Sequence, residues 1–269
     1  MPPVPVGRVL RHRGMTLLEL MIAMTIMVMV VGALGFLAKG VEQGFEYIES
    51  HDTVTQHARV AMQRIETAVR EATANSEFPG ILVVPKDIAS WSFPDTLVVW
   101  NPAIAQDDPD AVAADPDGLP QFDELVIYCP DATDPNELVE ITLPKDVRTV
   151  PVATDPTTWN AEIRAIKRSP RRETVVLTDL VRSCTVEGVA VPQQRGAVRF
   201  VSRQCPSQEE FDAYTAGKLA WEDLTWVQGQ TEFCQAWVRI ELQLVPGKEV
   251  QQVVPFLGSA ALYYVHKKP

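Results

Sequence analysis

One stretch near the N-terminus limits what this chain can fold into more than any other feature. Nineteen consecutive residues, Leu20 to Ala38, contain a single polar side chain, that of Thr25. As an α-helix rising 1.5 Å per residue, the stretch covers roughly 28 Å, close to the ~30 Å hydrocarbon core of a bilayer. The sequence therefore predicts a helix that spans a membrane, with residues 15–40 as its membrane part.

A carboxylate, that of Glu19, lies at the front edge of this apolar stretch. A charged side chain carried into lipid costs about 2.5–3.5 kcal/mol on insertion scales, so such residues are usually functional or paired. Cleavage of the chain after Gly14 would place a new α-amino group on Met15, four residues from Glu19. We hypothesise that this positive charge neutralises Glu19, and that in an assembly it belongs to the neighbouring subunit.

The sequence RHRGMTLLELM at residues 11–21, followed by the apolar stretch, resembles the class III signal of type IV pilins and type II secretion pseudopilins. The resemblance implies that a prepilin peptidase removes the leader 1–14 by cutting after Gly14 and then N-methylates Met15. It also implies that Glu19 is needed for assembly. The alternative is an ordinary signal peptide or signal anchor. A secretory signal has a shorter apolar stretch and a small-residue cut site after it. The longer apolar stretch with an acidic residue at its front favours the pilin-type signal.

Charge predicts the orientation of the chain. Three arginines precede the apolar stretch (Arg8, Arg11 and Arg13), whereas Lys39 beyond it is followed by acidic residues at 42, 46 and 49. Positive-inside bias places the leader in the cytoplasm and the part of the chain beyond the membrane helix outside the inner membrane. Without the leader, 21 basic residues face 35 acidic ones. This balance argues against a polybasic surface that binds nucleic acid.

The pattern beyond the membrane part predicts an α+β fold. Apolar residues at three- and four-residue steps predict an amphipathic helix over 41–76, ended by Pro79-Gly80. Strict alternation over 234–245 predicts a strand with one buried face. Residues 77–269 then form one globular domain, in which a mostly antiparallel sheet packs on the long N-terminal helix. The other predicted strands are 81–84, 96–100, 124–128, 138–143, 173–177, 197–201 and 260–265.

A short surface helix is predicted between the last two cysteines. Residues 207–210, with the sequence SQEE, form a capping box, and Gly217 is a suitable C-terminal stop.

All four cysteines, Cys129, Cys184, Cys205 and Cys234, lie beyond the membrane part. An oxidising periplasm allows up to two disulfides, with three possible full pairings. The chain contains no Cys-X-X-Cys pair, which disfavours a zinc site. Among the pairings, the resemblance implies Cys205 with Cys234, because pilins often close a C-terminal loop in this way.

An acidic tract over residues 107–124 is a calcium candidate. Asp115, Asp117 and Glu124 occupy the third, fifth and twelfth places of an EF-hand register, with Gly118 at the sixth. The first place is an alanine and Pro120 intrudes, so we prefer a solvated loop with Asp-Pro turns. No other metal site and no cofactor is predicted.

Catalytic motifs are missing from the sequence. The four histidines, at 12, 51, 57 and 266, suggest no nucleophilic triad, and no P-loop or dinucleotide fingerprint is present. The chain is therefore predicted not to be an enzyme. The six tryptophans are interpreted as packing residues rather than as a surface for stacking a ligand.

The family resemblance implies a structural subunit, most like a minor pilin of the PilW or GspJ kind. Such a subunit primes filament assembly and lies at or near the tip. Its expected partners are other minor pilins, the major pilin, the prepilin peptidase, the inner-membrane assembly platform and membrane lipid. Before assembly the C-terminal domain is periplasmic. The alternatives are a pseudopilin of a secretion system and a tip adhesin whose Trp-rich loops and acidic tract bind a ligand.

Overall fold

The computed structural model describes residues 16–75, 77–103, 118–188, 191–226, 231–246 and 252–265. The chain divides into two compact units, Met1–Ser50 and His51–Pro269. The first unit, where described, consists of the first part of helix α1, which runs over Leu17–Glu71. All of the described strands belong to the second unit.

The second part of α1 buries one face. Its buried residues are small or aliphatic and recur at three- and four-residue steps, as the amphipathic pattern predicts: Val54, Ala58, Ala61, Met62, Ile65, Ala68 and Val69. The helix ends at Glu71, five residues before the predicted end at residue 76. There the backbone N–H of Thr73 donates to the carbonyl of Trp100, and the Asn75 side chain accepts the N–H groups of Glu77 and Phe78. These bonds turn the chain out of the helix toward the first sheet.

A five-stranded antiparallel sheet follows, with its strands in chain order. It comprises β1 (Ile81–Ile88), β2 (Trp91–Trp100), β3 (Leu125–Pro130), β4 (Leu138–Thr142) and β5 (Glu173–Thr178). Helix α2 (Pro156–Ile166) shares an aromatic-rich core with the sheet that includes Trp100, Phe122 and Trp159. Helix α2 was not predicted from the sequence, although Asp155 caps its first turn and Pro156 is its first residue.

A second antiparallel sheet has the order β10-β9-β8. It comprises β8 (Val198–Cys205), β9 (Phe233–Leu244) and β10 (Val254–Val265). Alternate residues of β9 are buried, which confirms the period-two prediction, and they share one core with the buried face of α1.

The remaining elements are small. They include the hairpin of β6 (Ser183–Val186) and β7 (Gln193–Gly196), which was not predicted from the sequence, and helix α3 (Gln208–Thr215). Helix α3 begins at the predicted capping box, and Gly217 adopts a positive φ of 68° just after it. The fold is α+β, with a long N-terminal helix and mostly antiparallel sheets, as predicted.

Candidate functional site

The start of α1 is built around Glu19. The backbone N–H and the hydroxyl of Thr16 both donate to Glu19 Oε2, over 2.9 and 3.0 Å, and the N–H of Glu19 lies 3.3 Å from Thr16 Oγ1. This reciprocal arrangement is a capping box, which satisfies donors that the first turn of a helix leaves free. The predicted assembly carboxylate therefore already has hydrogen-bond partners within its own chain.

The apolar stretch after Glu19 is exposed along the described helix. Its large side chains, such as Val28 and Phe36, are 72% and 82% exposed. Its one polar side chain, Thr25, donates its hydroxyl to the carbonyl of Met21 over 2.8 Å, so the helix presents no unsatisfied polar side chain there. By length and composition α1 can cross a membrane, although a signal sequence near the N-terminus passes the same test. The apolar helix fits membrane anchoring.

The predicted cleavage and methylation sites, Gly14 and Met15, lie outside the described residues. The pairing between the Met15 α-amino group and Glu19 stays a prediction. Of the residues in that hypothesis, Glu19 alone lies within the described part of the chain.

An ion pair that was not predicted from the sequence joins α1 to β4. Arg64 donates from Nε to Glu140 Oε2 over 2.8 Å and from Nη2 to Oε1 over 2.9 Å, a bidentate arrangement. Glu140 is buried, with a side chain only 6% exposed. Burial, together with the charge of Glu140, raises the pKa of the neighbouring Tyr128. The pair holds the second part of the helix against the sheet.

The four cysteines carry free thiols in the structure. Cys129, Cys205 and Cys234 are buried, and burial raises the pKa of Cys234 to about 11. The implied pairing of Cys205 with Cys234 is not formed. Cys205 lies opposite Gln235 in the β8–β9 register, so the side chains of Cys205 and Cys234 point to opposite faces of the sheet. Disulfide formation among the four cysteines stays a prediction.

The calcium candidates are only partly described. Asp115 and Asp117 lie outside the described residues. Glu124 is buried and accepts the N–H of Gln121 over 2.8 Å, which caps the short helical turn at 122–124. Burial raises the pKa of Glu124. The fold therefore already uses this carboxylate, and the described ranges contain no cluster of three or more metal-binding side chains.

The histidines and tryptophans lie at positions that differ in burial. His51 and His57 lie on α1, and His57 Nδ1 is 3.2 Å from the hydroxyl of Thr178. His12 and His266 lie outside the described residues. Trp100, Trp159 and Trp221 are buried, as the packing interpretation predicts, whereas Trp237 is partly buried, and Trp91 and Trp226 are more than half exposed.

A family model described as the prokaryotic N-terminal methylation motif matches residues 10–35. The match spans Gly14, Met15, Glu19 and most of the apolar stretch, and it supports a protein of the type IV pilin or pseudopilin type. The motif implies processing by a prepilin peptidase and other pilins as assembly partners. No curated protein and no solved structure matches the chain.

Proposed function

We propose that this protein is a minor pilin of a type IV pilus, a structural subunit that primes filament assembly and remains at or near the tip. The observation that carries the proposal is the methylation motif at residues 10–35, which leads directly into an exposed, membrane-length apolar helix. A folded α+β domain follows the helix. A subunit of this kind needs both a membrane anchor and a folded domain outside the membrane.

In the proposed mechanism, the apolar part of α1 stores the subunit in the inner membrane until assembly. Cleavage after Gly14 creates the α-amino group of Met15, and this group on one subunit pairs with Glu19 of the next. Both Thr16 donors contact Oε2 of Glu19, which leaves Oε1 for the incoming amine. Charges attract strongly in a low-dielectric environment, so this contact selects a defined register between neighbours.

The N-terminus of the native protein tests the proposal. Mass spectrometry of the protein purified from membranes and from sheared filaments should find a chain that begins with methylated Met15. A chain that retains residues 1–14 in filaments would rule out the processing step.

A pseudopilin of a type II secretion system is the second candidate, because the same motif supports both classes. Affinity purification after mild cross-linking separates them. Recovery of pilus subunits supports the minor pilin, and recovery of secretion subunits supports the pseudopilin.

A tip adhesin is the third candidate, favoured by the exposure of Trp91 and Trp226. Replacing both residues with alanine should abolish adhesion but leave filament number unchanged if they bind a surface. An initiator predicts normal adhesion per filament in the same variant.

A further inference from the structure

A polar cleft of about 880 Å³ lies within the second unit. It is bounded by the β1–β2 hairpin, the turn between β3 and β4, the end of α2 and the strand β7. Nine charged residues line it, three acidic and six basic, although the whole chain has a net charge of -11. The basic residues are Lys86, Arg164, Lys167, Arg168, Arg172 and Arg195. We call this feature the basic cleft.

Arg195 is the most deeply placed of these residues, with a side chain only 5% exposed. It forms an ion pair with the equally buried Asp95, and its guanidinium carbon lies 3.6 Å from the centre of the Phe93 ring. Its Nη1 atom is buried and has no hydrogen-bond partner among the described residues. A buried guanidinium N–H without an acceptor is unfavourable, because it has lost water without gaining a partner.

Arg172 repeats the same pattern. Its Nη2 lies 3.5 Å from a carboxylate oxygen of Asp131, and its side chain is 20% exposed. Its Nη1 is also buried without an acceptor in the part of the chain that the structure describes. Asp131 already accepts the backbone N–H of Ala132 over 2.6 Å. Two guanidinium groups from different elements therefore place positive charge at the wall of one cleft, and their carboxylate partners use only part of their donors.

The backbone fixes this arrangement. Gly196 follows Arg195, and a Cβ atom added there would collide with the carbonyl of Pro135. At the other side, Lys167 donates from Nζ to the hydroxyl of Thr96 over 3.1 Å, next to the Asp95 that pairs with Arg195. Donors that are already held in place lose little conformational freedom when a ligand binds.

We propose that the basic cleft binds an oxyanion, a phosphate or carboxylate group carried by a small polar ligand. The guanidinium group of Arg172, whose side chain is 20% exposed, and the exposed Lys86 donate to its oxygens, and the buried Arg195 adds positive charge behind them. The volume falls within the ~300–1,000 Å³ of small-molecule sites and exceeds what one phosphate fills. Side-chain amides of Asn160 and Gln194 line the remainder and suit ligand hydroxyl groups. This inference goes beyond the filament role and does not depend on it.

Calorimetric titration of the full-length protein in nonionic detergent tests the proposal. The probes are inorganic phosphate, glucose 6-phosphate and glucuronate, with glucose as the neutral control, all at one ionic strength maintained with chloride. We expect saturable binding of the anions and none of glucose. Whichever of glucose 6-phosphate and glucuronate binds with the lower Kd identifies the preferred oxyanion. Absence of saturable binding by all three anions, or equal binding of glucose, would overturn the proposal.

Substitutions in the basic cleft test whether the anions bind there. Lys86→Gln and Arg172→Gln should each weaken anion binding by about tenfold, the size of one lost charge-assisted hydrogen bond. Arg239→Gln, which removes an exposed cation from β9 outside the cleft, is the matched control and should bind as the wild type does. Circular dichroism checks that each variant is folded. If Arg172→Gln fails to fold, Arg168→Gln on the exposed end of the cleft replaces it. Unchanged affinity in the folded cleft variants would refute the proposal.

Discussion

The ion pair between Arg64 and Glu140 makes a specific prediction about how α1 is held on the sheet. The substitution Arg64→Met keeps most of the aliphatic stem and removes the guanidinium group, so a buried carboxylate loses both of its charged donors. Breaking a fully buried ion pair in this way costs about 3–5 kcal/mol. In this pair only Glu140 is buried, whereas the side chain of Arg64 is 61% exposed. Water can partly replace the lost donors, and we therefore expect a loss of about 2–3 kcal/mol.

The assay is thermal unfolding of the full-length protein in detergent, followed by circular dichroism. For a folded unit of this size, the expected loss corresponds to a decrease in Tm of about 5–10 °C. Arg70→Met is the matched control, because it removes a second arginine of the same helix. Arg70 contacts Glu66 one turn away over 3.2 Å at an exposed position. Such surface pairs contribute about 0.3–0.5 kcal/mol, so its Tm should change by no more than about 2 °C.

A double-mutant cycle separates the buried charge from the loss of packing. Glu140→Gln keeps the shape of the side chain but removes its charge, so the double variant Arg64→Met/Glu140→Gln should be more stable than Arg64→Met alone. Equal decreases in Tm for Arg64→Met and Arg70→Met would refute the reasoning. A double variant whose losses simply add would refute it as well.

Three further predictions concern processing, assembly and acid stability. Gly14→Val should leave the leader attached, which intact-mass measurement detects as a longer chain, and a chain of mature length would contradict the cleavage site. Glu19→Ala should be processed normally yet be missing from sheared filaments on immunoblots, and incorporation at the wild-type level would contradict the charge pairing. Hydrogen bonds from the side chain of Thr225 and from Ser207 lower the pKa of Glu210 from 4.5 to about 2. Because this pKa is lowered on folding, the stabilisation is complete above about pH 4.5 and is lost as the pH falls through 2. The difference in Tm between the wild type and Glu210→Gln should therefore shrink from pH 7 to pH 2, and a constant difference would count against this capping interaction.

The features that the sequence predicted are those fixed by local patterns. The membrane-length helix requires only an uninterrupted apolar stretch, and β9 requires only alternation over residues 233–244. The start of α3 is set within four residues, since Ser207 accepts the N–H of Glu210 and the Glu210 side chain accepts the N–H of Ser207. The same local logic could have found α2, because Asp155 followed by Pro156 is a helix-start signal.

The features that the sequence did not predict depend on distant residues. Arg64 and Glu140 are 76 positions apart, and each by itself is an ordinary charged residue in a periodic pattern. The basic cleft adds Lys86 and Arg195, which are distant in sequence, to a local basic cluster at residues 164–172. The end of α1 also depends on a distant residue. The carbonyl of Trp100, which lies in a strand nearly thirty residues later, accepts the N–H of Thr73. Each of these required the sheet topology before the partners could be paired.

The capping box at the start of α1 bears on how a membrane-stored subunit could assemble specifically. In lipid, apolar helices gain little from burying apolar surface against each other, because lipid tails are equally apolar. The exposed side chains of residues 17–38 therefore favour neither storage nor assembly strongly. A polar contact at Glu19 can decide between the two states. The donors of Thr16 reduce the cost of keeping this carboxylate at the membrane. In the proposed mechanism, a cationic amine from a neighbour adds a stronger contact that exists only in the filament. On this reasoning, Thr16 and Glu19 together set the free-energy difference between the stored and the assembled subunit.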